Sequence, residues 1–349
     1  MHALYPFVRP FLFALDPETA HDAAFAGLDA AAACGVARLV APRVRASPVD
    51  VMGLRFPNRV GLAAGLDKNA AHIDGLATFG FGFIECGTVT PRPQPGNPKP
   101  RMFRLPEAQA LINRLGFNND GVERFLRNVA GARFASAGGI LGLNIGRNFD
   151  TPNARAVDDY VTCFRAVYAS ASYVTVNISS PNTKGLRDLQ EDAALGRLLG
   201  TLKSEQAKLA QVHGKHTPLV VKISPDLTTA DLRRVARSLL AHEVDGVIAT
   251  NTTIDRAAVA KLPHADEAGG LSGAPLREKA TAVIRTLADE LRGALPIIGV
   301  GGIMSGPDAR EKIAAGATLV QIYTGLIYKG PELVAEIADA LAPAPAGRP

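Results

Sequence analysis

Eight short apolar runs, set at wide intervals along the chain, constrain its fold more than any other feature of the sequence. The runs are rich in β-branched and aliphatic residues, which is typical of buried strands. Stretches with helical spacing lie between them, and alternating strands and helices predict a parallel sheet in an α/β fold. The runs lie at 60–64, 83–89, 140–145, 173–178, 219–223, 246–250, 297–300 and 319–323.

This number of repeats predicts that the sheet closes into a (β/α)8 barrel, the TIM barrel. A doubly wound open sheet is the competing architecture, but it usually has fewer strands and a glycine fingerprint after the first. Helical spacing is clearest at 228–242, 277–291 and 332–341. The chain has 349 residues, of which 47% are hydrophobic, so it is long enough to bury the core of such a barrel.

The first 45 residues precede the repeats and are predicted to form an N-terminal two-helix extension. Asp16 and Pro17 are typical of a helix start, and Gly35 of a helix end. This extension either caps the barrel or forms an amphipathic module at a membrane surface. We therefore divide the chain into a helical module at 1–45, a barrel at 46–342 and a disordered tail at 343–349. The residues expected on one helical face are His21, Phe25, Leu28 and Ala32.

A long connection follows the second strand and reads PRPQPGNPKPRMFRLPEAQALINRLGFNND. Its proline spacing predicts an extended, stiff segment that resembles polyproline II. Because it lies inside a barrel repeat, it is better interpreted as a long active-site loop than as a free linker.

Composition narrows the possible functions. The three cysteines, Cys34, Cys86 and Cys163, form no CxxC pair, which argues against disulfides and zinc and favours a reducing compartment. The net charge of +5 comes without tryptophan and without a basic block, so it favours a small anion or an anionic membrane surface over nucleic acid. We find neither a signal peptide nor an apolar run of the roughly 18 residues that a spanning helix needs.

Polar residues gather where the predicted strands end, which is where barrels place their active sites. The strand at 173–178 runs into NISSPNT, an unusual density of neutral donors and acceptors. Lys222 lies in VVKIS and should point into the barrel mouth as a Schiff-base nucleophile, an ion-pair partner or a fixed charge beside an anion. Glycines in IGVGGI and YTGLIYKG follow the last two strands, where barrels often bind phosphate.

Hydrolytic chemistry lacks support. No G-x-S-x-G motif surrounds Ser179 or Ser180, and no HExxH motif is present, so no metal site is predicted. A serine without an obvious partner base suits acid–base work only if a cofactor drives the reaction.

The motifs then show a resemblance to a known family. From about Tyr5 to Leu341 the chain resembles the bacterial quinone-dependent, class 2, dihydroorotate dehydrogenases. That resemblance implies a barrel carrying FMN that oxidises (S)-dihydroorotate to orotate in pyrimidine synthesis, with a membrane quinone (ubiquinone or menaquinone) as the final electron acceptor. The motifs that carry it are GLAAGLDKN, GFIECGTVTPRPQPGNPKPR, LINRLGFNN, NISSPNT, VVKISPDL, DGVIATNTT, GGLSG, IIGVGGI and AAGATLVQIYTG.

The resemblance also implies site residues. Ser180 would be the catalytic base. The FMN contacts would be Ala63, Ala64, Gly65, Leu66, Asp67, Thr88, Asn144, Asn177, Lys222, Thr250, Gly273, Gly302, Tyr323 and Thr324. The substrate contacts would be Lys68, Asn113, Arg114, Leu115, Gly116, Phe117, Asn177, Asn182, Asn251 and Thr252.

These residue types suit the implied chemistry. Asparagines offer both donors and an acceptor to the amide edges of dihydroorotate, and Lys68 would meet its carboxylate. Ser180 would remove the C5 proton while C6 gives hydride to flavin N5, helped by a relay through Thr183 and a water. Lys222 would place a positive charge at the flavin N1/O2 edge.

Two features favour quinone over soluble acceptors. The class 1 relatives of this family carry cysteine at the position of Ser180 and lack the N-terminal helices. We expect His21 and Arg104 to line a quinone entrance, and the enzyme to bind peripherally to inner-membrane lipid at the cytoplasmic face, with no obligate protein partner. Two rival readings remain: a phosphosugar aldolase or isomerase with Lys222 as Schiff base, and a membrane-surface binding protein without turnover.

Overall fold

Parallel strands and their flanking helices form the architecture that the repeats predict. A computed structural model describes residues 5–37 and 41–343. Its strands are β1 (Val49–Val51), β2 (Leu54–Phe56), β3 (Val60–Leu62), β4 (Phe83–Val89), β5 (Met102–Leu105), β6 (Ala110–Asn113), β7 (Ile140–Ile145), β8 (Tyr173–Asn177), β9 (Leu219–Ile223), β10 (Gly246–Ala249), β11 (Gly270–Gly273), β12 (Ile297–Val300) and β13 (Leu319–Ile322).

The helices surround these strands and follow most of them in the chain. They are α1 (Tyr5–Ala14), α2 (Pro17–Ala33), α3 (Ile73–Ala77), α4 (Gly121–Gly131), α5 (Arg133–Ser136), α6 (Ala156–Val167), α7 (Asp192–His213), α8 (Thr229–Ala241), α9 (Arg277–Leu291), α10 (Gly306–Ala314), α11 (Thr324–Lys329) and α12 (Glu332–Leu341).

The eight predicted strands close into a parallel barrel in the order β3–β4–β7–β8–β9–β10–β12–β13. Closure comes from pairing of β13 with β3, where Val320 lies opposite Val60. The (β/α)8 barrel is therefore confirmed, and the doubly wound open sheet is excluded. The carboxyl ends of all eight strands meet at one rim, so side chains distant in the sequence lie together there.

Large side chains fill the amino-terminal part of the barrel. The hairpin β1–β2 brings Phe56 against Phe83, with ring centroids 5.2 Å apart. Neighbouring strands make room with glycine: a Cβ at Gly61 would lie 2.3 Å from the Phe83 ring, and one at Gly142 would lie 2.2 Å from the Tyr173 ring. This end of the barrel is packed core, and chemistry is left to the opposite rim.

The predicted helices are confirmed. Helices α9 and α12 have the predicted bounds, and α8 begins one residue after Thr228, which forms a capping box with Asp231. In the N-terminal extension, Asp16 accepts hydrogen bonds from the amides of Glu18 and Thr19 and so caps α2.

Side-chain contacts that hold the helix pair α1–α2 against the barrel include the following three. The Tyr5 hydroxyl donates to the carbonyl of Ile327, and Asp29 pairs with His72 at 2.6 Å. Glu18 accepts from both Nε and Nη2 of Arg101 at 2.9–3.1 Å. No helix within 5–37 and 41–343 is long and apolar enough to cross a membrane.

The long connection differs from its prediction. The polyproline II expectation is wrong for its second half, where β5 and β6 form an antiparallel hairpin that β11 extends to three strands. These strands and the β1–β2 hairpin are each only three or four residues long, and β6 also pairs with β11, which is distant in sequence. Of the tail proposed at 343–349, residues 344–349 lie outside the described residues.

Candidate active site

The carboxyl ends of the barrel strands open into a cavity of about 960 Å³ that is partly open to solvent. The wall combines apolar side chains with amides, hydroxyls and two lysines. The cavity can therefore hold a flat ring against apolar surface and a polar ligand beside it.

Most of the residues predicted for the site line this cavity. From the cofactor set, these are Ala63, Ala64, Gly65, Thr88, Asn177, Lys222, Thr250, Gly273, Gly302, Tyr323 and Thr324. From the substrate set, they are Lys68, Asn113, Leu115, Gly116, Phe117, Asn177, Asn182, Asn251 and Thr252, together with the predicted base Ser180.

Four predicted residues do not line the cavity. Leu66 faces a neighbouring apolar cavity, and the Asp67 carboxylate accepts from the amides of Ala71 and His72 at 2.8–2.9 Å. Burial raises the pKa of Asp67 despite these hydrogen bonds. Asp67 therefore shapes the turn that carries Lys68, rather than presenting its carboxylate to a ligand.

The other two are Arg114 and Asn144. The Arg114 guanidinium pairs with Glu267 at 2.6 Å and lies over the Phe103 ring, 4.7 Å from its centroid. Its side chain therefore packs against the hairpin and does not reach the cavity. Asn144 lies behind the wall, where it accepts a 2.6 Å hydrogen bond from the hydroxyl of Thr88.

Four asparagines lie around one side of the cavity. Asn182 donates to Asn113 at 3.1 Å, across the gap between the strand β8 loop and the hairpin. Asn251 donates to the Ser179 hydroxyl at 3.0 Å and to Asn177 at 3.4 Å. The hydrogen bonds among these side chains fix the orientation of each amide. Their remaining donors and acceptors are therefore available to a ligand in a fixed arrangement.

Ser180 lies in this cluster and is buried. Its Oγ accepts a 3.2 Å hydrogen bond from the amide of Asn182, so its hydroxyl proton remains available to an acceptor. The Thr183 hydroxyl is also buried, and its Oγ1 has no partner among the described residues. Buried hydroxyls are normally paired, so this one indicates a place for a water or a ligand near the loop.

Two lysines supply positive charge to the same cavity. Burial lowers the pKa of Lys68 to about 8, although the charges of Glu18 and Asp67 act against it. Burial also lowers the pKa of Lys222, against the attraction of Glu85. An anionic ligand would favour the protonated form of both lysines.

The residues present fit a flavin nucleotide. Gly301 and Gly302 follow β12 with φ of +114° and +74°, so this turn favours glycine, and a Cβ at Gly302 would lie 2.3 Å from the Cα of Arg277. A main chain without side chains lets a phosphate approach closely. Gln321 also lines the cavity, and its buried Oε1 finds no partner within the described residues, as expected where a ligand supplies the donor.

A second cavity, of about 1,330 Å³, lies between the helix pair and the barrel and is overwhelmingly apolar. Tyr323 contributes to the walls of both cavities, so the apolar space and the polar site adjoin at this side chain. Both residues predicted for a quinone entrance, His21 and Arg104, line it.

His21 and Arg104 differ in what they can offer. Burial lowers the pKa of His21 to about 3, and the charge of Lys68 adds to this, so the imidazole is neutral at physiological pH. Arg104 already donates to the carbonyls of Leu12, Phe13 and Leu15 at 2.7–3.3 Å. It therefore caps the end of α1 as well as lining the cavity.

Sequence reasoning missed Ser272, Gln321 and Glu85. Ser272 accepts from the Thr324 hydroxyl at 2.8 Å and lies in β11, a strand that was not predicted. Gln321 and Glu85 each interrupt an otherwise apolar strand. A polar residue inside such a strand was the available signal, because burial demands a partner for it.

Comparisons with known proteins agree with this geometry. A family model described as dihydroorotate dehydrogenase matches residues 47–344. The chain is 61% identical over 339 residues to a protein of Thiobacillus denitrificans named dihydroorotate dehydrogenase (quinone), covering 97% of this chain and 99% of that one. A Ralstonia nicotianae protein of the same name is 61% identical over 342 residues, covering 98% and 99%.

Solved structures give the same answer. The crystal structure of DHODH from Eimeria tenella in complex with ferulenol matches with a TM-score of 0.84 and 38% identity over 93% of this chain and 90% of that one. The ligand-free structure from the same organism matches with a TM-score of 0.84 and 40% identity, covering 93% and 94%. The chain belongs to the dihydroorotate dehydrogenase family.

Proposed function

We propose that this chain oxidises (S)-dihydroorotate to orotate in pyrimidine biosynthesis, with FMN as the bound flavin and a quinone as final electron acceptor. The observation that carries this is the pairing of two cavities across Tyr323: a polar one with asparagines, a serine and two lysines, and an apolar one beneath the helix pair. Each suits one of the two substrates named for the quinone-dependent relatives.

The polar cavity suits a planar amide ring with a carboxylate. The asparagine side chains can pair with its C=O and N–H edges without adding charge. Lys68, at the cavity wall, would bind the carboxylate, and the resulting ion pair would keep the ammonium protonated. Dihydroorotate is thereby held in one orientation against the flavin.

Ser180 would take the proton from C5. A serine is a weak base, so the proton must move onward, and the unpartnered Thr183 hydroxyl offers the next acceptor through a water. Loss of this proton and of a hydride from C6 leaves the C5=C6 double bond of orotate. FMN, when bound, would supply a two-electron carrier for this hydride, and reduction of the quinone to a quinol would then take two electrons and two protons.

Lys222 would lie along the flavin ring as a fixed charge, because the end of β9 is rigid and the side chain is buried. A positive charge there favours the extra negative charge that the flavin carries after reduction. Ala63, Ala64 and Gly65 would place main chain along the ring, and Gly302 would approach the phosphate. The Schiff-base and non-enzymatic readings gain no support from any of these contacts.

The apolar cavity would admit the quinone. His21 is neutral there, so it can donate or accept one hydrogen bond at the quinone head without the cost of a buried charge. Tyr323 would separate the quinone from the polar cavity while keeping both next to the flavin.

The helix pair would rest on a lipid surface. Phe7 is 69% exposed and Phe11 is 77% exposed on α1, and large apolar side chains seldom face water in this way. An amphipathic helix can bury such residues at the headgroup boundary, and a net charge of +5 favours anionic lipid. We propose peripheral binding at the cytoplasmic face of the inner membrane.

The test is anaerobic turnover of purified protein with dihydroorotate and a short-chain ubiquinone, beside a fumarate control. We expect a yellow protein that forms orotate and reduces quinone but leaves fumarate unchanged. Activity with fumarate alone would overturn the choice of acceptor. A flavin that stays oxidised with dihydroorotate would overturn the substrate.

A further inference from the structure

Glu85 is a fully buried carboxylate inside the barrel that the mechanism above does not use. It lies in β4, in the middle of a strand buried along its whole length. Burying a charge is costly unless several donors stabilise it, and an apolar residue of similar size would usually be as stable. A carboxylate in this position therefore calls for a reason beyond packing.

Only donors face this carboxylate among the described residues. Its Oε1 accepts from the amide of Asn144 at 2.8 Å. Its Oε2 accepts from the Tyr173 hydroxyl at 3.0 Å and from the amide of Gln321 at 2.8 Å. This pattern, acceptor only on both oxygens, is that of an ionised carboxylate.

The hydrogen bonds continue from Glu85 to the cavity wall in one direction. Asn144 donates to Glu85 and accepts from the Thr88 hydroxyl at 2.6 Å, and Thr88 in turn accepts from Asn177 at 2.9 Å. If Glu85 became neutral, this series of hydrogen bonds would lose the acceptor that fixes the orientation of its amides and hydroxyl. Thr88 and Asn177 both line the cavity.

Glu85 also acts on Lys222 through space. Its negative charge is the influence that raises the pKa of Lys222, while burial lowers it. Gln321 links the two regions, because it donates to Glu85 and also lines the cavity. The carboxylate and the ammonium together leave the buried end of the site close to neutral.

We propose that Glu85 is a positioning residue whose fixed negative charge offsets that of Lys222, orients the Asn144–Thr88–Asn177 chain, and thereby sets the reduction potential of the bound flavin. This rests on the proposed function, since it assumes FMN in the cavity. Reduction adds negative charge to the flavin, so a negative group beneath it makes reduction harder, and a low-dielectric interior strengthens the effect.

The test is the midpoint potential of bound FMN in Glu85→Gln, measured by anaerobic spectroelectrochemistry at pH 6, where Lys222 is most fully protonated. We expect a positive shift, because the variant keeps the size of the side chain and loses its charge. Glu85→Asp retains the charge, so its potential should stay near that of the wild type. Glu205→Gln, on the outer helix α7, is the matched control for loss of a carboxylate elsewhere.

A potential that is unchanged in Glu85→Gln, or that moves equally in Glu85→Asp, would overturn the proposal and leave a structural role. If Glu85→Gln loses FMN, the deciding variant is Tyr173→Phe, which removes one hydrogen-bond donor from the Glu85 carboxylate and keeps its charge. The midpoint potential of the flavin must then shift negatively. An unchanged potential overturns the proposal. A wild-type protein without flavin would overturn the proposed function itself, whereas a flavin-loaded wild type with an unresponsive Glu85→Gln overturns only this inference.

Discussion

Ser180 shows how far one side chain depends on its neighbours. Its hydroxyl is held by the Asn182 amide in a segment that brings three polar side chains, those of Asn177, Ser180 and Asn182, to the same cavity. Ser179, next in the chain, instead bonds to Asn177 and accepts from Asn251, so the two serines have different tasks. We propose a chemical role for Ser180 and a structural role for Ser179.

Replacing Ser180 by alanine should slow flavin reduction by dihydroorotate by about 10²–10⁴-fold, because it removes the base and no neighbour can replace it. The rate is read from flavin absorbance after anaerobic rapid mixing. Ser179→Ala is the matched control, and loss of its hydrogen bonds should cost about tenfold or less. Equal losses in the two variants would assign Ser180 to scaffolding as well.

Single residues of the site were predictable to different degrees. Lys222 could be placed from its position at the end of an apolar strand, and Asn177 and Asn182 from the density of polar residues in NISSPNT. Glu85 and Gln321 could not, because their partners come from strands far apart in the chain and only closure of the barrel brings them together. The hydrogen bonds from Arg104 to carbonyls at the end of α1 could not be predicted either, because these residues are also far apart in the sequence.

Among the elements, the long hairpin and α2 are joined by one buried ion pair. The Glu18 side chain is 16% exposed and that of Arg101 is 8% exposed. Arg101 also donates to the carbonyls of Pro95 and Asn97 at 2.6 and 2.9 Å. The pair therefore fixes the helix module against the loop that carries part of the substrate site.

Glu18→Gln should lower the free energy of unfolding by about 1–3 kcal/mol, because it leaves a buried guanidinium without its carboxylate. Thermal unfolding of the FMN-loaded protein measures this. Asp50→Asn is the control, since its partner Arg55 is exposed and exposed pairs add little. A Glu18→Gln protein as stable as Asp50→Asn would contradict the role assigned to this pair.

How well the helices and strands could be predicted from the sequence depends on their length. Helices α9 and α12 were predictable to the residue, because their periodicity extends over several turns. The strands β5, β6 and β11 were not, because four residues carry little periodic signal and β6 depends on pairing with the distant β11. Proline spacing alone gave the wrong conformation there.

For the whole molecule, three buried or half-buried aspartates contribute to the response to acid. Burial alone would raise the pKa of Asp226, but hydrogen bonds from Lys279, Thr253 and the Ile254 amide outweigh it and lower the pKa. Burial is likewise outweighed at Asp245 and Asp308, whose pKa values are also lowered. A carboxyl with a depressed pKa stabilises the fold above its unfolded value and loses this effect as pH falls through its folded value.

The contribution of these aspartates to stability should therefore be fully present above about pH 4, the unfolded value for aspartate, and decline as pH drops further. Asp226→Asn should be less stable than the wild type at pH 7, and the difference should narrow toward pH 3. Urea unfolding at the two pH values measures this. A difference of the same size at both would mean that the contacts of Asp226 do not depend on its charge.

The Glu18–Arg101 pair extends further than the two elements that it joins. Asn97, which Arg101 holds, donates to the carbonyls of Arg114 and Asn182, and Asn182 belongs to the substrate cluster. A continuous set of contacts thus runs from the helix pair α1–α2 to the polar cavity of the barrel. Coupling between two such binding sites is reciprocal. The factor by which a bilayer raises the affinity for substrate is also the factor by which substrate raises the affinity for the bilayer. With the membrane contact proposed above, the share of enzyme bound to the membrane would then rise with the concentration of substrate.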